Sequence, residues 1–139
     1  MDRMQRVVFV DPDHGARSQM AEALLCRVAA DRFDIGSAGT EPTGSVEGVE
    51  DVLYEIGFDR FIPSRRAITS VLHPPPDLLV TVCEEGCGSC PYVPGARRVF
   101  RWPQPDPDLV PPSERRRVLR RIRDDLEAHI SMLVNVPLL

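Results

Sequence analysis

Lysine is missing from the sequence: all 17 basic residues among the 139 are arginines. Any mechanism that needs a lysine ammonium is therefore excluded. Long apolar runs are missing too, and nothing approaches the roughly 20 residues that span a bilayer. The amino terminus, Met1 to Arg6, opens onto a four-residue apolar run, far too short for a signal-peptide core. These absences lead to the expectation of a cytoplasmic protein with no membrane contact. The net charge of −4 gives no reason to expect nucleic-acid binding. Repeats, linkers and low-complexity tails are absent as well. What is present, 42% hydrophobic and 27% charged residues, is ordinary for a folded chain, and the length suits one domain over residues 1–139.

The order of patterns predicts an α/β fold. Val7 to Val10 is a continuous β-branched run, as in a strand buried on both faces of a parallel sheet. A polar loop, Asp11 to Ala16, follows, and then Met20, Ala21, Leu24, Leu25 and Val28 recur at helical spacing between Arg17 and Ala30. Phe33 to Ala38 reads as a second strand closed by Gly39. Ser45 to Ile56 reads as a helix stopped by Gly57. Leu78 to Val82 and, more weakly, Arg97 to Arg101 supply two further strands. A last helix carries the stripe Val118, Leu119, Ile122, Leu126, Ile130 and Leu133, with Ser113 as its expected cap and Asn135 and Pro137 as its end. Many of the 14 prolines fall between these elements. Four strands alternating with helices predict an open parallel sheet with helices on both faces. Ligands then bind beyond the carboxyl ends of the strands, where the loops Asp11 to Ser18, Cys83 to Pro91 and Trp102 to Asp108 would emerge.

The first loop is a ready anion site, because its N–H groups and the positive end of the following helix converge on one point. Asp13, His14, Gly15 and Ala16 form its body. Arg17 adds a planar fork for two oxygens, Ser18 a hydroxyl, and Gly15 a backbone angle that other residues resist. Cys83, Cys87 and Cys90 crowd into eight positions while Cys26 stands alone, which suggests redox or metal chemistry more than a disulfide scaffold.

Arg17 to Leu25, Ser37-Ala38-Gly39-Thr40, Glu55 to Asp59, Asp77 to Cys83, Cys90-Pro91 and Trp102 to Pro107 follow one another in an order that resembles the low-molecular-weight tyrosine phosphatases. The closer resemblance is to the thioredoxin-coupled arsenate reductases of that group. It covers nearly the whole chain, from about Arg6 to Leu133. The resemblance implies a cysteine nucleophile, five residues, then arginine and serine. This chain reads Asp11-Pro12-Asp13-His14-Gly15-Ala16-Arg17-Ser18, with aspartate in the nucleophile's place. A carboxylate there would accept the loop's hydrogen bonds and pair with Arg17. An incoming oxyanion about 4 Å away would then meet roughly 4 kcal/mol of repulsion per charge pair at an effective dielectric of 20. The expectation is a pocket neutralised from within.

The resemblance also makes Cys83 and Cys90 the pair that relays electrons to a thioredoxin-type reductant, with Cys87 an addition. It makes Asp106 the general acid that would protonate a leaving group. Glu22 and Ser37 match positions that bind potassium in some members. Other readings of the residues stay open. Cys83, Cys87 and Cys90 could hold zinc or a trivalent metalloid, although no cofactor is otherwise expected. Asp106 and Asp108 also suit a plain solvated loop, His14 a solvent-facing one, and Cys26 a packing role. Arg115, Arg116, Arg117, Arg120, Arg121 and Arg123 read as a solvated, ion-paired face, with a phosphate-bearing partner as the sharper alternative. Asp11-Pro12-Asp13 further resembles the nucleophile motif of aspartyl-phosphate enzymes, but those rely on a lysine that this chain lacks. Three functions follow: a degenerate family member acting as a binding or regulatory module for an oxyanion or protein, a reductase or phosphatase rebuilt on the three cysteines, or a thiol site for a metal or metalloid.

Overall fold

The computed structural model describes residues 4–84 and 90–135. Its elements are β1 (Gln5–Asp11), α1 (Ala16–Ala29), β2 (Phe33–Gly39), α2 (Val49–Tyr54), β3 (Leu78–Thr81), β4 (Arg98–Arg101) and α3 (Pro112–Asn135), with short 3-10 turns at Ile68–Val71 and Pro107–Leu109. The four strands form one parallel sheet in the order β2-β1-β3-β4. The chain leaves β1 in one direction to build β2 and returns on its other side to build β3. The switch of direction places a crevice at the carboxyl end of β1.

Strand alternation divides the core. Val7, Phe9, Leu78 and Val80 face α1, α2 and α3, whose Met20, Leu24, Leu25, Val52, Leu53, Leu119, Ile122 and Leu126 close over them. Val8, Val10 and Leu79 face the opposite way, under Val71 of the first 3-10 turn and Val93. Among the described residues the second face is covered by a 3-10 turn and loops, while α1, α2 and α3 share the first. No helix among the described residues is long and apolar enough to cross a membrane.

Several boundaries differ from the sequence expectation for local reasons. The second helix begins at Val49 and not at Ser45, because Gly48 takes φ +86° and turns the chain there. Gly57, also at φ +86°, terminates it, its N–H bonding to Tyr54 O and that of Phe58 to Leu53 O. Ser113 lies inside the first turn of α3 and is not its cap, since Pro112 already occupies a helical position where its missing N–H costs nothing. Of the expected end signals, Asn135 closes α3, and Pro137 lies outside the described residues.

The basic face of α3 is solvated and ion-paired, with Arg116, Arg117, Arg120 and Arg121 exposed. Arg116 reaches Asp51 at 3.2 Å, Arg120 and Arg123 both reach Glu55, at 2.6 and 2.7 Å, and Arg115 reaches Asp108 at 2.6 Å. Hydrogen bonds from Arg120 and Arg123 hold the Glu55 carboxyl down at about 2. Arg123 is buried outright and also donates to Val52 O at 2.8 Å, which departs from the solvated reading.

Gly39, at the end of β2, abuts the loop that follows β1 so closely that a Cβ there would strike the His14 backbone. A backbone neighbour cannot swing aside as a side chain would. Gly39→Ala is therefore expected to lower the unfolding free energy by about 2–3 kcal/mol in urea titration; an unchanged midpoint would show that the loop is loosely held.

Candidate functional site

The loops Asp11 to Ser18 and Trp102 to Asp108 meet at the carboxyl edge of the sheet, with Cys83 beside them. Asp11, the last residue of β1, is fully buried. Its Oδ2 accepts the Ser18 N–H at 2.9 Å and its Oδ1 the Gly15 N–H at 3.3 Å. Asp13 shares the Gly15 N–H at 3.2 Å. The N-terminal turn of α1, where backbone donors lack helical acceptors, is thus answered by two carboxylates from its own loop. The Ser18 hydroxyl is buried alongside and reaches no partner at hydrogen-bonding geometry.

Arg17 is 4% exposed and surrounded. Its Nη2 lies 3.9 Å from both Asp13 Oδ1 and Asp106 Oδ2, and its Nη1 3.5 Å from the Gln104 carbonyl. Asp106 spends its other oxygen on the Asp108 N–H at 2.9 Å, capping the short turn that follows. The acidic loop is held by Trp102, which packs on Phe9 at 6.0 Å between ring centroids and stacks on His129 at 4.9 Å, and by Gln104, which donates to Asp125 of α3.

Burial, and then the neighbouring charge of Asp13, push the Asp11 carboxyl up to about 6, against the pull of the Ser18 N–H and Arg17. Asp13 is raised as well, chiefly by its partial burial, with Arg17 opposing and Asp106 and Asp108 adding to the rise. One guanidinium therefore serves three carboxylates.

His14 departs from both expectations for the loop. It is buried and not solvent-facing, and it, not Gly15, carries the left-handed backbone, at φ +48°. Gly15 has φ −100°, and a Cβ there would make a tight 3.0 Å contact with Asp13 Oδ1. The His14 ring accepts the Arg66 N–H on Nδ1 at 2.8 Å, so its proton lies on Nε2 and is donated to Ser37 Oγ, also at 2.8 Å. Ser37 in turn donates to Glu22, which also receives Arg66 Nη1 at 3.3 Å. Burial, with Arg66 and Arg65 nearby, lowers His14 to about 4.

Cys83 and Cys90 are joined in a disulfide with Cα atoms 5.9 Å apart. Cys83 is buried at the base of the first loop, its sulfur 3.9 Å from Val10 O, whereas Cys90 is exposed. Cys87, Gly86 and Gly88 lie outside the described residues. While the bond stands, Cys83 and Cys90 offer no thiolate, so the three-thiolate set with Cys87 would require reduction first. Cys26 is half-buried in α1, its thiol raised chiefly by burial.

The sequence reading missed four polar side chains. Gln19 clamps the loop, donating to His14 O at 2.7 Å and Ser64 O at 2.8 Å and accepting the Ser64 N–H at 3.0 Å. Asp77, buried before β3, accepts the Arg6 N–H at 2.8 Å. Gln104 and Arg66 are the others. Apart from the Gln19–His14 bond, these contacts join residues 21 to 87 positions apart, beyond any local pattern.

A parallel α/β domain with an oxyanion-type loop after its first strand, an arginine at the start of the helix and an acidic loop closing over it defines the class. The family model described as low molecular weight phosphotyrosine protein phosphatase matches residues 6–135, and the chain belongs to that family. Among curated relatives, the arsenate reductase of Halalkalibacterium halodurans is 29% identical over 126 residues, covering 89% of this chain and 91% of that protein. Among solved structures, the arsenate reductase of Archaeoglobus fulgidus is 35% identical with a TM-score of 0.70, covering 90% of this chain and 98% of that one. The thioredoxin-dependent arsenate reductase of Corynebacterium glutamicum, at 24% identity and TM-score 0.67, covers 97% of this chain and 65% of that one, and speaks for the fold.

Asp11 and His14 oppose each other in the pH dependence of stability. A carboxyl raised from 3.8 to about 6 binds its proton more tightly when folded, so its contribution favours folding at low pH and is lost as pH rises through that window. A histidine lowered from 6.5 to about 4 does the reverse, and its contribution is lost as pH falls. Asp11→Asn removes the first effect. We expect it to be more stable than the parent at neutral pH by about 1–2 kcal/mol, after allowing for one lost N–H acceptor. The gain should vanish toward pH 4. Chemical denaturation across that range checks this; a variant weaker than the parent at every pH would contradict it.

Proposed function

We propose that this chain is a catalytically silent member of its family, a binding or regulatory module whose oxyanion loop is filled by its own Asp11 carboxylate. One observation carries the reading: Asp11 is fully buried and accepts loop N–H groups from Gly15 and Ser18, the donors an oxyanion would otherwise take. The surroundings support it. Arg17, the fork that would grip two oxygens, is flanked by Asp13 and Asp106 and has little exposure. An arriving dianion would have to displace these carboxylates and tolerate Asp11 at close range, a repulsion of several kcal/mol even at moderate dielectric. A carboxylate is also a far weaker nucleophile than the thiolate such loops activate.

The Cys83–Cys90 disulfide favours a second reading, a thiol-based reductase. In it a thioredoxin-type dithiol gives two electrons and two protons to the bond, leaving two thiols here and a disulfide on the reductant. The dependence of the Corynebacterium relative on thioredoxin suggests that partner, and Cys90 is the exposed sulfur it would attack.

Turnover separates the two. The wild-type chain should show only background hydrolysis of p-nitrophenyl phosphate and background arsenate reduction with a thioredoxin system, and calorimetry at neutral pH should detect no micromolar binding of phosphate or arsenate. Asp11→Cys restores the Cys-x5-Arg-Ser spacing and is expected to raise phosphatase activity about 100-fold or more, roughly 3 kcal/mol of barrier. Wild-type turnover that Asp11→Asn abolishes would overturn the silent reading. Arsenate reduction lost in Cys83→Ser and Cys90→Ser would install the second.

A further inference from the structure

The resemblance to members that bind potassium through positions matching Glu22 and Ser37 raises the question of whether these residues still fit such an ion. They do not. An alkali cation needs oxygen or unprotonated nitrogen donors converging on a point, but the His14 ring has none to spare: Nδ1 is taken by the Arg66 N–H and Nε2 carries the proton given to Ser37. Ser37 donates its hydroxyl hydrogen bond to Glu22, and the Glu22 carboxylate faces the Arg66 guanidinium at 3.3 Å.

We propose that Arg66 is the resident cation of this loop: its guanidinium supplies the positive charge that Glu22 and the Ser37–His14 chain require, so the loop keeps its shape without an alkali-metal ion. The backbone of Arg66 makes this a built feature. Its carbonyl accepts the Gly39 N–H at 3.0 Å, and its own N–H bonds His14, the left-handed residue of the loop. Arg66 is thereby fixed to the end of β2 on one side and to the loop on the other, with its side chain returning to Glu22 on α1. A covalently attached cation cannot dissociate, and the ordering that an ion would bring to the loop belongs here to the chain itself. This role is independent of what fills the loop at residue 11.

Thermal melting tests the assignment. The wild-type chain should melt at the same temperature in equal concentrations of potassium, sodium and tetramethylammonium chloride, and should show no saturable response to thallium(I), a potassium surrogate. Arg66→Ala should lower the midpoint by about 3 °C, and Arg66→Lys, which keeps the charge, by less. In a Glu22→Gln background, where no charge awaits neutralisation, Arg66→Ala should cost little. Saturable stabilisation of the wild type by potassium or thallium would overturn the proposal without any variant. So would an Arg66→Ala penalty that is absent, or equally large with and without the Glu22 charge.

Discussion

The site is organised by one demand: the backbone N–H groups at the start of α1 converge just beyond β1, in a buried place, and a hydrogen-bond acceptor must meet them. In this chain the group is covalently part of the loop. Asp11 accepts from Gly15 and Ser18, and the rest of the crevice is arranged around that charge. Arg17 balances it from one side, Asp13 and Asp106 share the same guanidinium, and Trp102 and Gln104 hold the acidic loop in place. The family's fold is retained, and on the proposed reading the anion is supplied from within.

Charge is also internally matched behind the loop. His14 must be neutral because its ring bridges a backbone donor and a hydroxyl acceptor in a buried setting, and its left-handed backbone depends on those bonds. The opposite pH responses of Asp11 and His14 fall in overlapping windows, between about 4 and 6, so they offset each other in the intact protein. The cysteine pair lies at the edge of the same crevice, with one sulfur buried beneath β1 and one exposed.

How far the sequence could be read follows from the range of the interactions. Strands with continuous apolar runs, the long stripe of α3 and the convergence of Asp11, Arg17 and Asp106 were legible, because each depends on spacing along a few turns or on the rule that places ligands at strand ends. The length of α2 was not, because the backbone angle of Gly48 decides it. The burial of Arg123 was not, because the partner is Glu55, just past the end of α2. Gly15 looked like the residue with the unusual backbone, whereas His14 carries it, sustained by Arg66 and Ser37 from distant segments. Gln19, Gln104 and Arg66 carried no sequence signal, because Ser64, Asp125 and Glu22 reach them from distant segments.

The account rests on Asp11 being a buried carboxylate that already occupies the loop. Carboxyl carbon NMR of protein labelled at aspartate, with Asp11→Asn used to assign the resonance, reads this directly. The account predicts a midpoint near 6 and a signal at neutral pH that millimolar phosphate leaves unmoved. A midpoint in the ordinary range near 3.8, or a signal that shifts saturably as phosphate is added, would contradict it.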